Sequence, residues 1–172
     1  GWSRLGSTTL QRVRARLWAM VLPMVALVLL SLWMAFRRAG EILLGLAVLS
    51  LSGLCLLAVM ALAGWSWNLL NLMGLPLILG TGVDYGIFIQ LGLRRHGGDI
   101  ALVRRSIGRA LLLCGGTAIA GFGSLACSSN LGMASLGKVC AVGIAGNMLI
   151  AIYLLPGWWA RAFGAPGAPA RL

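Results

Sequence analysis

Long apolar runs alternate with short polar connections along this chain. A membrane-spanning helix needs about 20 mostly apolar residues, and about five runs meet that length: residues 17–36, 42–64, 69–93, 110–128 and 139–158. Each should be helical, because in hydrocarbon every backbone N–H and C=O must find its partner within the segment. The pattern therefore predicts an all-α fold, a polytopic bundle of about five transmembrane helices.

The connection between the third and fourth runs has a pattern of its own. Asp99 follows two glycines and is placed to cap a helix, and apolar positions then recur at helical spacing through residues 100–110. Arg104, Arg105 and Arg109 can reach lipid phosphates. We expect an amphipathic helix on the cytoplasmic membrane surface. The boundaries that follow are 1–16 for the end of an extracytoplasmic segment, 17–158 for the bundle, and 159–172 for a flexible cytoplasmic tail.

Composition and charge support a membrane protein. The 172 residues are 60% hydrophobic and 10% charged, and the formal net charge is +11. The basic residues flank the apolar runs instead of forming a basic face interleaved with aromatics, which argues against nucleic-acid binding. Most arginines fall on one side if the carboxyl terminus is cytoplasmic, so we expect that orientation.

Four cysteines and the single His96 show no metal-ligand spacing, and no catalytic constellation is present, so we expect neither a metal nor an enzyme.

One carboxylate interrupts the third apolar run. Asp84 lies within residues 75–89, which are otherwise long and apolar enough to lie inside the bilayer. An ionised Asp at the centre of a membrane helix costs about 2.5–3.5 kcal/mol on insertion scales, and intramembrane acids are functional by default. Asp84 can therefore load and unload a proton in response to the electrochemical gradient. The alternative is a structural carboxyl neutralised by a hydrogen bond, with Thr117 or Asn147 as the donor.

Small and polar residues surround Asp84 on the predicted helix. Gly80 and Thr81 share its face, and Tyr85 lies about 100° around the axis. The small-residue pairs Gly82/Gly86 and Thr117/Gly121 would allow neighbouring helices to approach closely. Tyr85 alone would be ordinary core or interface filling, and Asn147 is better read as an interhelical hydrogen-bonding residue than as a substrate ligand.

The motif around Asp84 resembles that of a known family. Gly80-Thr81-Gly82-Val83-Asp84-Tyr85 is similar to the GxxxDY motif of MMPL-type exporters of the RND superfamily. Residues 68–79, 118–125, 136–137 and 154–156 extend the likeness, which covers nearly all of the chain from residue 17 and matches the last five spans of that family's second membrane repeat.

The resemblance implies a fold, a coupling ion and partners. It implies proton antiport that drives export of a hydrophobic or lipidic substrate, with Asp84 carrying the proton and Tyr85 hydrogen-bonding in the relay. Protons would be the coupling ion and no cofactor is implied. The partners would be membrane lipids, the substrate, and the first repeat and extracytoplasmic porter domains of the same polypeptide, in a bacterial inner membrane; a homo-oligomer stays open.

Three other functions compete with this one. A sterol-sensing-like module shares the five-span arrangement and binds lipid without pumping, and a SecD/SecF-type protein-export motor is also proton-driven. The Asp84-Tyr85 dyad argues against both. A pure assembly scaffold is the third, and for it the substitution Asp84→Asn would be silent.

Overall fold

The fold is entirely helical over the described part of the chain. The computed structural model describes residues 22–36, 38–65 and 69–164, and within them the chain forms five helices and no strand. The helices are α1 (Leu22–Ala35), α2 (Ala39–Leu62), α3 (Leu69–Arg95), α4 (Ile100–Ala126) and α5 (Leu131–Phe163). Helices α2 to α5 are long and apolar enough to cross a membrane. The predicted all-α membrane bundle is confirmed.

The chain divides into two units, each described by itself. The first contains α1, which is apolar and shorter than a full crossing. It covers most of the predicted span 17–36, of which residues 17–21 lie outside the described residues. The second unit contains α2 to α5. Residues 1–16 and most of the predicted tail, 165–172, also lie outside the described residues.

The turn from α3 to α4 follows from local chemistry. Gly97 and Gly98 adopt φ values of 62° and 87°, which favour glycine and end α3. The Asp99 carboxylate then accepts a hydrogen bond from the Leu102 backbone N–H at 3.0 Å, the N-cap that the sequence predicts. The next connection is closed in the same way, since the Asn130 side chain accepts from the backbone N–H groups of Gly132 and Met133.

The expected interfacial helix and the fourth span form one element. Helix α4 runs without a break from residue 100, through a π-helical segment at Arg104–Gly108, into the span. The apolar face of its first turns packs inside the bundle, where Val103 is fully buried and Ile100 and Ile107 lie beside it. The segment is helical and capped as expected, but its apolar face meets protein, so these turns are part of the bundle.

Helix α5 is the element around which the second unit is built, because α2, α3 and α4 all pack against it. The α4–α5 contact is very close at Gly137, where a Cβ would lie 2.5 Å from the Ala126 backbone nitrogen. Towards its end α5 contains a second π-helical segment, Ile150–Leu154, just before Pro156. A proline cannot donate a backbone hydrogen bond, and a π-helical turn is one way in which a helix adapts to that loss.

Candidate functional site

Asp84 lies near the middle of α3, on the side that the second unit leaves uncovered. Five exposed side chains of this helix recur at helical spacing along one side and form what we call the α3 stripe: Met73, Leu77, Asp84, Phe88 and Leu91. All members except Asp84 are apolar. The described residues give the Asp84 carboxylate no hydrogen bond and no ion pair. A lone carboxylate therefore stands on an apolar surface of a membrane-capable helix.

Tyr85 points the other way, into the core between α4 and α5. Its side chain is 5% exposed and belongs to the main core cluster. Its hydroxyl lies beside Gly115 of α4, where an added Cβ would be 3.2 Å from the hydroxyl oxygen and 2.6 Å from the Met148 sulfur. Cys114 and Asp84 are both close enough to interact with Tyr85 electrostatically. The two residues of the dyad thus occupy adjoining but different surroundings.

A buried polar network lies one turn before Asp84. The Asn147 amide of α5 donates to the Ile78 carbonyl and, at 3.2 Å, to the Thr81 hydroxyl, and its oxygen accepts from the Ser52 hydroxyl of α2. The Thr81 hydroxyl in turn donates to the Ile78 carbonyl at 2.9 Å. Asn147 therefore bonds across three helices, as expected of an interhelical residue.

Neither of the donors considered for a structural carboxyl reaches Asp84 within the described residues. Asn147 is committed to the network above, and the Thr117 hydroxyl donates to the Cys114 carbonyl of its own helix at 2.8 Å. Thr117 and Gly121 are exposed on α4. Within the described residues, neither Asn147 nor Thr117 therefore supplies a hydrogen bond to the Asp84 carboxylate.

The glycines named from the sequence fall into different environments. A Cβ on Gly82 would lie 3.0 Å from the Asn147 amide and 2.9 Å from Leu49, so a side chain at Gly82 would crowd the network. Gly80, Gly86 and Gly121 have no atom within 4 Å of an added Cβ. Packing is therefore tight at position 82, whereas positions 80, 86 and 121 have free space in this unit.

A pocket continues the α3 stripe towards the arginine-rich end of α3. It runs between α3 and the beginning of α4 and is lined by Phe88, Leu91, Arg95, His96, Ser106 and Ile107, among others. Phe88 lies one helical turn from Asp84 on the same face. The pocket thus extends from one turn beyond Asp84 to the polar end of the helix.

Sequence reasoning missed several buried polar positions in this unit, including two that bond or pair across helices. Ser52 was one, because a serine in an apolar run carries no signal until its partner on another helix is known. Glu41 was the other: it is 3% exposed and lies 3.6 Å from the Arg94 guanidinium. In the sequence, charged residues that flank different spans indicate only the orientation of the chain in the membrane. In the part of the chain that the structure describes, no group of three His, Cys, Asp or Glu residues could hold a metal ion.

Comparison with known proteins gives the chain a family. The model of the MMPL family matches residues 3–162. The chain is 31% identical over 144 residues to the hopanoid transporter HpnN of Burkholderia multivorans, covering 84% of this chain and 16% of that protein. It is 32% identical over 132 residues to the hopanoid transporter HpnN of Rhodopseudomonas palustris, covering 77% and 14% respectively.

A third relative is similar to a shorter part of the chain. The putative membrane protein MJ1562 of Methanocaldococcus jannaschii is 34% identical over 120 residues, covering 59% of this chain and 30% of that protein. No solved structure matches. The chain spans less than a fifth of the length of the two hopanoid transporters.

Proposed function

The chain belongs to the MMPL family, and on that premise we propose that it is the second membrane repeat of a proton-driven exporter of lipid or hydrophobic substrates. The remaining parts of the exporter would be a first repeat and extracytoplasmic porter domains on the same polypeptide. The small share of each hopanoid transporter that the chain covers supports this division. Both of these relatives are named as transporters, and we propose no enzymatic activity for this chain.

The observation that carries the proposal is the carboxylate of Asp84 on the apolar α3 stripe. An ionised acid exposed to acyl chains is unfavourable, so we propose that the first repeat covers the stripe and that Asp84 exchanges its proton within that interface. A potential of 100 mV supplies about 2.3 kcal/mol for each charge moved across the full field, which is comparable with the cost of moving the carboxyl between environments.

The pocket beside the α3 stripe supports a path for the proton. Its wall begins at Phe88, one turn from Asp84, and ends at the charged residues that finish α3. Water in that pocket would bring one aqueous phase to within about one helical turn of the carboxyl. We propose that this phase is the bacterial cytoplasm, since the arginines of this end follow the positive-inside rule. Tyr85, the residue next to Asp84, would hydrogen-bond in the relay.

The test compares two substitutions of aspartate by asparagine in the full-length protein. Asp84→Asn removes the titratable group and keeps the side-chain shape, whereas Asp99→Asn changes the other described aspartate and keeps a side chain that can cap α4. Lipid export from cells and proton uptake into proteoliposomes are measured, with expression and membrane insertion matched. We expect Asp84→Asn to abolish both activities and Asp99→Asn to retain them.

The same test separates the rival functions. Export and proton uptake unchanged in Asp84→Asn would remove the relay role and leave the scaffold. Lipid binding without proton uptake in the wild-type protein would indicate the sterol-sensing-like module. Proton-dependent protein export instead of lipid export would indicate the protein-export motor.

A further inference from the structure

We infer that Asn147 is a positioning residue, which fixes the turn of α3 that carries Asp84. The inference rests on the proposed proton role of Asp84. Asn147 is 2% exposed, and its hydrogen bonds reach Ser52 of α2 and both Ile78 and Thr81 of α3. Both amide hydrogens and one carbonyl lone pair are thus used, so the residue holds three helices together at one level.

The sequence of α3 disfavours a regular helix in the stretch that Asn147 contacts. Pro76 lies inside the helix and cannot donate to the carbonyl four residues earlier, and glycines at positions 74, 80, 82 and 86 lower the helical preference of the same stretch. Ile78 and Thr81 lie between the proline and Asp84. The Asn147 amide therefore hydrogen-bonds to the part of α3 where the local sequence does least to fix the direction of the helix axis.

The contact is close enough to set the rotation of this turn. The Asn147 amide lies against Gly82, two residues from Asp84, so that a Cβ added to Gly82 would be 3.0 Å from the amide, tighter than ordinary van der Waals contact. The amide also donates to the Thr81 hydroxyl while that hydroxyl donates to the Ile78 carbonyl, which fixes the Thr81 rotamer. Thr81 precedes Asp84 by three residues and lies on the same face. Loss of Asn147 would let the turn rotate and move the carboxylate.

Another amide–hydroxyl pair between α3 and α5 provides a matched control. The Asn71 amide donates to the Ser135 hydroxyl at 3.0 Å, and the hydroxyl donates back at 3.2 Å. Asn71 lies thirteen residues before Asp84, which is about 20 Å along a helix. Asn71→Leu and Asn147→Leu thus remove the same kind of interhelical bond at different distances from the carboxylate.

The experiment measures proton uptake by the full-length protein in liposomes of bacterial polar lipids, with an entrapped pH-sensitive dye and an imposed pH gradient. We expect Asn147→Leu to lower the initial rate about tenfold to a hundredfold, as for a misplaced reacting group. Asn71→Leu should keep most of the rate even where thermal denaturation shows a similar loss of stability. Equal rates in the two variants would overturn the inference.

A double substitution distinguishes positioning from a general loss of packing. If Asn147 acts through the Thr81 hydroxyl, then Asn147→Leu combined with Thr81→Val should be no slower than the slower single variant, and Thr81→Ser should restore the rate lost in Thr81→Val. Multiplied losses in the double variant would overturn the inference. If Asn147→Leu fails to insert, Ser52→Ala and Thr81→Val replace it, and wild-type rates in both would overturn it.

Asp84→Asn in the same liposomes separates the two proposals. A normal rate in Asp84→Asn would refute the proposed function itself. An inactive Asp84→Asn beside a normal, inserted Asn147→Leu would refute only the positioning role.

Discussion

Neighbouring residues of α3 face very different surroundings. Asp84 is exposed on the α3 stripe, whereas Tyr85 lies in the core between α4 and α5. The position of Tyr85 depends on the absence of a side chain at Gly115, because its hydroxyl and the Met148 sulfur fill the space that a Cβ would occupy. Adding one methyl group at Gly115 therefore tests whether the position of the Tyr85 hydroxyl matters for proton uptake.

Gly115→Ala should disturb the Tyr85 hydroxyl more than the fold. The added Cβ would come within 2.6 Å of the Met148 sulfur, which is the far part of a flexible side chain, and 3.2 Å from the tyrosine oxygen. Overpacking of this kind costs about 1–3 kcal/mol, and we expect the lower end because methionine can move aside. Proton uptake should fall severalfold, as measured in proteoliposomes alongside thermal denaturation.

Gly123→Ala provides the control for that substitution. It lies on the same helix, and a Cβ there meets no atom within 4 Å. It should leave both stability and proton uptake close to wild type. Equal uptake in the Gly115 and Gly123 variants would show that the tyrosine hydroxyl can shift without consequence.

At the scale of helices, α2 and α3 are joined by a charge pair near the end where α3 finishes. The Glu41 carboxylate is 3% exposed and 3.6 Å from the Arg94 guanidinium, which is 49% exposed. At that distance the contact is an ion pair without a hydrogen bond, and the nearer carboxylate oxygen accepts none from the described residues. The pair therefore matters mainly because removing Arg94 would leave the Glu41 carboxylate buried and unpaired.

Arg94→Met should destabilise the protein through Glu41. Removing one partner of a fully buried pair costs about 3–5 kcal/mol; because Arg94 is half exposed to solvent, we expect about 1–2 kcal/mol. Thermal denaturation in detergent measures the change, with Arg95→Met, an exposed arginine, as the matched control. Adding Glu41→Gln to Arg94→Met should restore part of the loss. A loss just as large in Arg95→Met would show that the charge of the helix end matters and the pair does not.

The sequence predicted the helices better than it predicted the contacts between them. Apolar length predicted the helices, and Asp99 predicted the start of α4, because both signals are local. The continuity of α4 was not predictable, since a charged face on residues 104–109 looks the same whether the apolar face meets lipid or α3. Ser52 and Gly115 are similar cases, because their importance depends on Asn147 and Tyr85 of other helices. The sequence singles out Asp84 as a candidate because it is a lone acid in an apolar run, whereas its exposure depends on packing.

At the scale of the whole molecule, the α3 stripe is a mostly apolar surface that the second unit leaves exposed. Phe88 is 55% exposed and Asp84 is exposed beside it, on a helix whose other faces are packed. Lipid could cover the apolar residues but would not accommodate the ionised carboxylate. A protein surface can cover both, and the chain makes up only a small part of its relatives' length.

A photoreactive residue in the α3 stripe can identify what covers it. With benzoylphenylalanine in place of Phe88 in the full-length protein, illumination in membranes should give cross-links to the first repeat, identified by mass spectrometry of the digested protein. The same residue in place of Leu54, which is 63% exposed on α2, provides a comparison at another exposed site. Cross-links from position 88 to lipid alone would contradict the proposed interface.

Gly80→Leu tests the same interface by function. Gly80 lies one turn before Asp84 on the same face, and a Cβ there meets no atom within 4 Å, so this unit has room for the start of a larger side chain. In the assembled protein a leucine would project into the space where we place the first repeat, separating the two surfaces around Asp84. Proton uptake should therefore fall about tenfold or more, whereas Gly53→Leu, at an equally open glycine of α2, should retain it. If Gly80→Leu transports protons normally, the stripe faces lipid, and Asp84 has no partner there with which to exchange a proton.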